Sequence, residues 1–274
     1  MNITERKMVS ILKKCKSDSG VVSVKAEFEA EGTRIDELLR LLEITRTAGL
    51  ELTVKIGGCE AVRDLLESKQ IGVRYVVAPM VETSYALSKY IGAKEAVYST
   101  EEQKDTDFLF NIETITAFNN REEIFKEITK FPSADGVVFG RVDFVGSLGW
   151  PRNKINSQEV TNFVLEIARF CKESDKQLVI GGGVSIESLD VVKQVYSIRL
   201  DRFETRKVIF DTKAALNSDI EYGLLNAVQF ELLWLMNKRD YYSNISSEDL
   251  KRIEMLQLRS NELNTWYENR KKIN

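Results

Sequence analysis

Two stretches of the sequence, FNIETITAFNN (residues 110–120) and GVVFGRVDFVGSLG (residues 136–149), share one pattern. Each begins as a short apolar run of the kind that forms a strand buried on both faces. Each run then reaches a carboxylate, Glu113 in the first stretch and Asp143 in the second. In parallel βα folds the functional groups gather where strands end and the following loops begin. Two successive strands that finish in an acid therefore indicate a functional site at that edge of the sheet.

The same alternation of an apolar strand, a turn and an amphipathic helix recurs along the chain. The predicted strands are 21–32, 50–58, 75–83, 107–114, 136–144, 177–183 and 201–211. The predicted helices between them are 34–49, 59–72, 84–92, 120–131, 157–174 and 185–196. Such alternation favours βαβ units and a parallel sheet. An eighth strand is expected near 196–203 or 95–99, and no GxGxxG turn follows the first strand, which argues against an open dinucleotide-binding sheet. We therefore predict an α/β protein with a TIM-type (β/α)8 barrel.

Both ends of the chain add helices to this barrel. Residues 1–20 read as an amphipathic N-terminal helix, and residues 212–274 as a C-terminal helical part with helices at 219–242 and 246–272. The chain has 274 residues and no Gly/Ser-rich linker, and one βα barrel needs roughly 250 residues. We predict a single domain over 1–274, with the barrel in 21–211. The additional C-terminal helices are expected to support a homo-oligomer.

Composition narrows the classes of partner. The net charge is −3, which gives no support to a nucleic-acid partner. No apolar stretch approaches the roughly 18 residues of a membrane span, and the N-terminal segment lacks the apolar core of a signal peptide. The three cysteines are widely separated and odd in number, which argues against a disulfide framework. We expect a cytoplasmic protein with a small-molecule substrate, no nucleic acid and no membrane.

The chain contains no histidine. This excludes Ser-His-Asp and Cys-His catalysis, histidine-ligated zinc and histidine general bases. Acid and base chemistry must then be carried by carboxylates, lysine, tyrosine, cysteine or metal-bound water.

The first predicted strand has one fully charged face. Lys25, Glu27, Glu29 and Glu31 alternate with small or apolar residues. On a strand buried on both sides, this face must point into the barrel or its mouth, where Lys55 and Arg206 are candidate partners. An exposed edge strand would show the same alternation, and that alternative stays open.

Glu113 and Asp143 lie on consecutive predicted strands, so their side chains can approach each other. Two carboxylates held close together repel unless a cation lies between them. Oxygen ligands with open positions suit Mg²⁺ or Mn²⁺ rather than zinc. The alternative is that both acids cap the segments that follow them.

Basic residues at other strand ends are candidate binders of anions. Lys55 ends the second strand just before two glycines that let a substrate approach the backbone. Arg141 and Arg206 are also candidates, although each can equally be a member of a structural ion pair. The triple glycine at 181–183 can form a phosphate-binding turn or serve backbone conformation alone.

Three segments carry a resemblance to a known family. APMVETSYAL (78–87), FNIETITAFNN and FGRVDFVGSLG (139–149), in this order, resemble successive strand motifs of the HpcH/HpaI aldolase and citrate lyase β-subunit family. That family belongs to the phosphoenolpyruvate/pyruvate-binding barrels. The resemblance covers roughly residues 21–149, and its most specific part is the Glu-Thr and Asp-Phe pair one βα unit apart.

The resemblance implies a metal-dependent site. Glu113 and Asp143 would bind Mg²⁺ or Mn²⁺, and the cation would chelate a 2-oxo acid substrate and stabilise the enolate formed when a C–C bond is made or broken. Further residues are implied to bind the substrate, through backbone amides or by lining its pocket: Gly140, Ser147, Leu148, Gly149 and Glu82.

The sequence departs from the family at two points. The family usually has an arginine at the end of the second strand, where this chain has Lys55, which keeps the charge but loses the bidentate fork. The aldolase branch uses a histidine near the end of the first strand, and here Glu29 or Glu31 must replace it as proton shuttle. The sequence predicts a metal-dependent carbon–carbon lyase or aldolase for a small 2-oxo or 3-hydroxy acid. The alternatives are a CoA-thioester lyase or hydrolase of the citrate lyase β type, and a catalytically altered barrel that serves as a binding or scaffold subunit.

Overall fold

The computed structural model describes residues 1–130 and 132–271, and in this part of the chain eight strands close into a barrel in the order β1 to β8. The strands are β1 (Val21–Glu27), β2 (Glu51–Lys55), β3 (Tyr75–Ala78), β4 (Asp107–Ile112), β5 (Gly136–Gly140), β6 (Gln177–Gly181), β7 (Arg202–Glu204) and β8 (Val208–Asp211). The α-helices are α1 (Ile3–Ser19), α2 (Ile35–Thr47), α3 (Val62–Ile71), α4 (Ser84–Val97), α5 (Ile115–Asn119), α6 (Arg121–Ile128), α7 (Arg141–Ser147), α8 (Gln158–Glu173), α9 (Leu189–Tyr196), α10 (Thr212–Leu216) and α11 (Ile220–Lys271). Short 3₁₀ helices lie at Glu102–Lys104, Arg152–Asn156 and Ile186–Ser188. The predicted barrel of alternating strands and helices is confirmed.

One strand breaks the parallel order of the barrel. Strands β1 to β7 pair in parallel with their neighbours, whereas β8 is antiparallel to both β7 and β1. Only residues 205–207 connect β7 to β8, which suffices for a hairpin but is far too short for the crossover that a parallel pair needs. The predicted strand 201–211 is therefore two short strands, and β7 is the eighth strand that the sequence partly hid.

The barrel interior changes from apolar to charged along its axis. Buried side chains of Val77, Leu109, Val138 and Val179, one from each of four consecutive strands, form the middle of the interior, with Tyr75 packed against them. Successive inward positions on a strand are two residues apart. On β3 to β6 the next inward positions towards the carboxyl ends are Pro79, Asn111, Gly140 and Gly181. The two glycines leave room there for acidic side chains of the site described below.

The structure differs from the sequence prediction in the strand 136–144 and in the two C-terminal helices. The predicted strand 136–144 ends at Gly140, and α7 begins at once, so Asp143 lies in the first turn of a helix and not in a loop. The two predicted C-terminal helices form the single helix α11. Residues 224–271 contain neither glycine nor proline, so nothing in the backbone forces a break. Positions 131 and 272, where two predicted helices end, lie outside the described residues.

The chain divides into two compact units, Met1–Glu231 and Leu232–Asn274. The first unit contains the barrel and the start of α11. In the second unit the described residues continue α11 to Lys271, and many of their large apolar side chains are exposed, among them Leu250, Leu256 and Trp266. Within the described residues, no helix combines the length and the apolar character that crossing a bilayer requires. The predicted homo-oligomer stays a prediction.

Candidate active site at the carboxyl ends of the strands

The charged face of β1 points into the barrel, as predicted. Strand β1 is paired on both sides, with β2 and with β8, so it is not an edge strand. Lys25 and Glu27 are both buried. The Nζ atom of Lys25 lies 2.6 Å from Oε1 of Glu204 and 3.0 Å from Oε1 of Glu27. Glu204 was not predicted as a site residue, because β7 is only three residues long and could not be recognised in the sequence.

The two acids control the ionisation of this buried lysine. Burial alone would lower the pKa of Lys25, but the negative charges of Glu204 and Glu27 outweigh burial and raise it well above its usual range. Burial alone would raise the pKa of Glu27, but attraction to Lys25 outweighs burial and lowers it. Lys25 and Glu27 are thus both charged near neutral pH, and with Glu204 they form an ion-pair cluster inside the barrel.

A second lysine lies between two further acids. The Nζ atom of Lys55, at the end of β2, is 3.2 Å from Oε2 of Glu29 and 3.5 Å from Oε2 of Glu113. Burial lowers the pKa of Lys55, but the charges of Glu113 and Glu29 outweigh burial and raise it. Lys55 is therefore a positively charged ammonium at the barrel mouth. The sequence analysis named Lys55 as a candidate partner of the acids that follow Lys25, but it did not predict the second contact, with Glu113.

Glu113 is held by donors from β2, from β4 and from the segment after β3. Its side chain is 1% exposed. Its Oε1 accepts a hydrogen bond from the backbone N–H of Met80 (3.0 Å), and its Oε2 accepts one from Nδ2 of Asn111 (2.5 Å) as well as the bond from Lys55. Met80 adopts a left-handed backbone conformation with φ of 50°, which costs a non-glycine residue roughly 1–2 kcal/mol. Strain of this kind is concentrated at functional sites, and here it aims an amide at Glu113.

Glycine at position 140 makes room for this carboxylate. A Cβ atom on Gly140 would lie 2.7 Å from Oε2 of Glu113 and 2.8 Å from its Cβ. Any side chain there would displace Glu113. Gly181 has the same relation to Glu204, because its Cβ would lie 2.9 Å from Oε1 of that residue. Gly181 is thus needed to make room for Glu204. This supports a structural role for the glycine run 181–183 rather than a phosphate-binding turn.

Asn111 is a site residue that the sequence analysis missed. Its side chain is 4% exposed, and its Oδ1 atom is buried without a hydrogen-bond partner. An unpaired buried acceptor costs free energy, so a ligand that donates to it or coordinates it would be favoured. The available signal was its place two residues before Glu113 on β4, which puts an amide on the inward face just below the acid.

Asp143 occupies the first turn of α7, and its side chain is exposed. It lies three residues after Gly140, where Glu113 leaves no room for a side chain. Across the described residues, no three His, Cys, Asp or Glu side chains are grouped as a metal site, and the predicted pair of carboxylates is smaller than such a group. The oxygens present, from Glu113, Asp143 and Asn111, are hard donors of the kind that Mg²⁺ and Mn²⁺ prefer. The residues fit such an ion by their chemistry, and its binding stays a prediction.

Glu31 is tied to the β7–β8 hairpin. Its carboxylate pairs with the buried ammonium of Lys207, and its Oε1 lies 3.2 Å from Nε of Arg206. Burial lowers the pKa of Lys207, and the charge of Glu31 only partly offsets this. Arg206 is a substrate-binding candidate from the sequence, and its side chain is 57% exposed. Because both oxygens of Glu31 are engaged, the geometry favours Glu29 over Glu31 as a mobile proton carrier.

Arg141 is a structural arginine and not the anion binder that the sequence suggested. It is fully buried. Its five N–H groups donate to the backbone oxygens of residues 155, 181 and 182, to Oδ1 of Asn156 and to Oγ of Ser188. Burial without an acidic partner lowers its pKa to about 10. No donor is left for a substrate, and the side chain fastens the loop after β6 to the segment after α7.

The comparisons with known proteins identify the family of the chain. The family model for HpcH/HpaI aldolase/citrate lyase matches residues 8–198 of the chain. The chain belongs to this family. The match extends well beyond residue 149, where the sequence resemblance had stopped. No curated protein matches the sequence significantly.

Solved structures of the HpcH/HpaI family share the fold. An HpcH/HpaI aldolase from Desulfitobacterium hafniense DCB-2 has a TM-score of 0.59 and 13% sequence identity, covering 74% of this chain and 83% of its own. An HpcH/HpaI aldolase/citrate lyase family protein from Burkholderia cenocepacia J2315 also has a TM-score of 0.59 and 13% identity, covering 86% of this chain and 92% of its own. At this identity the likeness concerns the fold alone.

One implication drawn from the HpcH/HpaI family does not hold for this chain. The backbone amides of Leu148 and Gly149 already donate to the carbonyls of Phe144 and Gly146, in the last turn of α7. The end of a helix presents carbonyl oxygens and negative partial charge, so these amides do not form a carboxylate site. Oγ of Ser147 is likewise engaged, since it accepts from the backbone N–H of Ile115 and donates to the backbone oxygen of Phe144.

Glu82 lies on the loop after β3, next to the Glu113 loop. Its Oε1 accepts a hydrogen bond of 2.7 Å from Oγ1 of Thr114, and its backbone oxygen accepts one from Nδ2 of Asn120. Glu82 therefore braces the segment that follows Glu113. Its predicted role in lining the substrate pocket stays a prediction.

Proposed function

We propose that this chain is a metal-dependent carbon–carbon lyase of the aldolase type, acting on a small 2-oxo or 3-hydroxy acid. The observation that carries the proposal is the ionic cluster at the carboxyl ends of the strands, where functional sites of βα barrels lie. Membership of the HpcH/HpaI aldolase/citrate lyase family supports a lyase.

The charge balance of this cluster favours a bound cation. The buried and half-buried members are five carboxylates and three ammonium groups, an excess of two negative charges: Glu27, Glu29, Glu31, Glu113, Glu204, Lys25, Lys55 and Lys207. The only other cation in ion-pair contact with them among the described residues, Arg206, is mostly in water, where its charge is screened. A divalent ion would restore neutrality.

Glu113 and Asp143 would hold the cation, and the free Oδ1 of Asn111 would accept from its hydration shell or from a substrate hydroxyl. A bound Mg²⁺ or Mn²⁺ would supply a Lewis acid at the substrate's keto and carboxylate oxygens. The chain positions Glu113 from three sides before any ligand arrives, so little reorganisation is needed during the reaction.

Lys55 would provide positive charge where negative charge develops on the substrate. Its ammonium is at the mouth, paired with Glu29 and Glu113. A lysine is a compact point charge without the planar fork of arginine. The substrate would therefore be held by charge rather than by a bidentate pair.

Glu29 would carry the proton that a histidine carries in the aldolase branch. Its side chain is 28% exposed, and its Oε2 has no hydrogen-bond partner, although Lys55 is within 3.2 Å. A carboxylate on a partly exposed side chain can accept a proton from the substrate carbon and return it.

The direct test is exchange of the methyl protons of pyruvate in D₂O, followed by ¹H NMR with Mg²⁺ or Mn²⁺ present. We expect exchange that requires the cation, and a loss of roughly 10²–10⁴-fold in Glu29→Gln, the usual range for a general base. Glu31→Gln is the matched control, because that carboxylate is engaged by two cations, and it should keep most of the exchange. No exchange above the protein-free rate in a cation-loaded, pyruvate-bound protein would contradict the proposal.

A second candidate function is a barrel that binds a small acid without chemistry. The absence of histidine and the contact of Lys55 with Glu113 favour it. Pyruvate binding without methyl-proton exchange would identify this function.

A further inference from the structure

We infer that Lys55 is an internal counter-cation that competes with a divalent ion for Glu113, and that the Lys55 ammonium shifts to Glu29 when the ion binds. The inference rests on the proposed cation site and concerns what regulates its affinity. In this inference the Lys55 ammonium moves from Glu113 to Glu29, a step that the proposed reaction does not require.

The hydrogen-bond geometry of Glu113 puts Lys55 in competition with a cation at Oε2. A carboxylate oxygen has two lone pairs, and Oε2 of Glu113 already accepts from Nδ2 of Asn111 and from Nζ of Lys55. Its Oε1 accepts only from the backbone N–H of Met80. Asn111 lies on β4, two residues before Glu113, and is buried, so it cannot easily withdraw. The Lys55 contact, at 3.5 Å, is the longest of the three and the one that can yield.

Charge repulsion acts in the same direction. A divalent ion on Glu113 would lie within a few ångströms of a buried ammonium. Two like charges about 4 Å apart at the effective dielectric of a protein interior repel strongly enough to change an affinity by more than tenfold. The ion and the ammonium therefore compete for one carboxylate.

Glu29 offers a second position for the ammonium group. Its Oε2 is 3.2 Å from Nζ of Lys55, closer than Glu113, and has no hydrogen-bond partner. Glu29 lies in the segment between β1 and α2 and is the more exposed of the two acids, so its side chain has more freedom to follow the lysine. A small rotation of the lysine would convert the shared contact into a full ion pair with Glu29.

The test is isothermal titration with Mn²⁺ at neutral pH and without substrate, on wild type, Lys55→Met, Glu29→Gln and the double variant. We expect Lys55→Met to bind Mn²⁺ at least about tenfold more tightly than wild type, because the competing charge is gone. Glu29→Gln should bind severalfold more weakly, because the ammonium has lost its second partner. In the Lys55→Met background the Glu29 substitution should have little effect.

Three controls separate charge from side effects. Lys55→Arg keeps the charge and should not bind more tightly than wild type. Lys55→Gln is a second neutral variant for the case that Lys55→Met does not fold, which circular dichroism and thermal unfolding will show. Glu113→Gln removes the carboxylate for which ion and lysine compete and should abolish binding.

The outcomes distinguish this inference from the proposed function. The inference would be overturned if wild type and the neutral Lys55 variants bound Mn²⁺ equally tightly while Glu113→Gln did not bind it. The cation site itself would then stand. If Glu29→Gln weakened Mn²⁺ binding equally in wild type and in Lys55→Met, Glu29 would be a ligand of the ion. That result would also overturn the proposed movement of Lys55 from Glu113 to Glu29. No Mn²⁺ binding by either wild type or the neutral variants would remove the cation site, and the inference with it.

Discussion

Replacing Lys25 with methionine should destabilise the protein strongly, because it leaves two buried acids without their cation. Methionine matches the length of the lysine stem and removes only the ammonium group. Glu27 and Glu204 would then face each other inside the barrel, where their side chains are only 10% and 6% exposed.

The magnitude follows from the two distances and the burial. At an effective dielectric of 20, attraction at 2.6 Å is about 6 kcal/mol and at 3.0 Å about 5.5 kcal/mol. Most of this offsets the desolvation of the three charges. Removing one partner of a buried ion pair typically costs about 3–5 kcal/mol, because it leaves an uncompensated charge. We expect a loss in this range for Lys25→Met.

The assay is urea unfolding at pH 7, followed by circular dichroism and tryptophan fluorescence, whose transitions must coincide for a two-state analysis. The double variant Lys25→Met/Glu204→Gln removes one of the stranded charges and should recover a substantial part of the loss. Lys104→Met is the matched control, because that lysine pairs with Glu101 at the surface, and an exposed pair contributes about 0–1 kcal/mol. A loss below about 1 kcal/mol for Lys25→Met, or no recovery in the double variant, would refute this account of the cluster.

Three further predictions concern other parts of the site. Gly140→Ala should displace Glu113, lower stability by about 1–3 kcal/mol and weaken Mn²⁺ binding in a titration, whereas Gly146→Ala, in an open position on α7, should do neither. The pKa of Glu27 is lowered, because attraction to the Lys25 ammonium outweighs burial. Glu27 should therefore stabilise the protein fully when the pH is above its unfolded-state pKa near 4.5. This contribution should be lost as the pH falls through the lower folded-state pKa. The stability difference between wild type and Glu27→Gln in urea unfolding should therefore shrink towards acid pH, and a constant difference would contradict the assignment. Arg141→Lys should cost about 2–4 kcal/mol in urea unfolding, since one ammonium cannot satisfy five buried acceptors, and a loss below 1 kcal/mol would show that those acceptors find other donors.

Much of the barrel could be predicted from local patterns. Strands β1 to β6 alternate with helices in the sequence, and their apolar runs are long enough to recognise. The alternation in β1 was enough to expect Lys25 and Glu27 inside the barrel, and the end of β4 to expect Glu113 at its mouth. Each of these features belongs to a single strand and can therefore be recognised in a short segment of sequence.

What the sequence did not reveal depends on contacts between distant segments. The β7–β8 hairpin is built from strands of three and four residues, too short for a periodic signal, so Glu204 and its pairing with Lys25 could not be foreseen. The start of α7 at Arg141 was hidden because GRVDF continues the apolar run of β5. The five acceptors of Arg141 come from three segments after it in the sequence, and only the folded chain brings them together.

The most direct test of the central claim is the melting temperature of wild type and Glu113→Gln, first in EDTA, then with Mn²⁺, then with Mn²⁺ and pyruvate. A ligand at 100 times its dissociation constant stabilises by about 2.7 kcal/mol, which corresponds to roughly 5–10 °C for a domain of this size. We predict that Mn²⁺ raises the melting temperature of wild type, that pyruvate raises it further, and that Glu113→Gln shows neither shift. A wild type that does not respond to the cation, or a Glu113→Gln variant that responds as wild type does, would contradict the claim that Glu113 is the centre of a cation-dependent 2-oxo acid site.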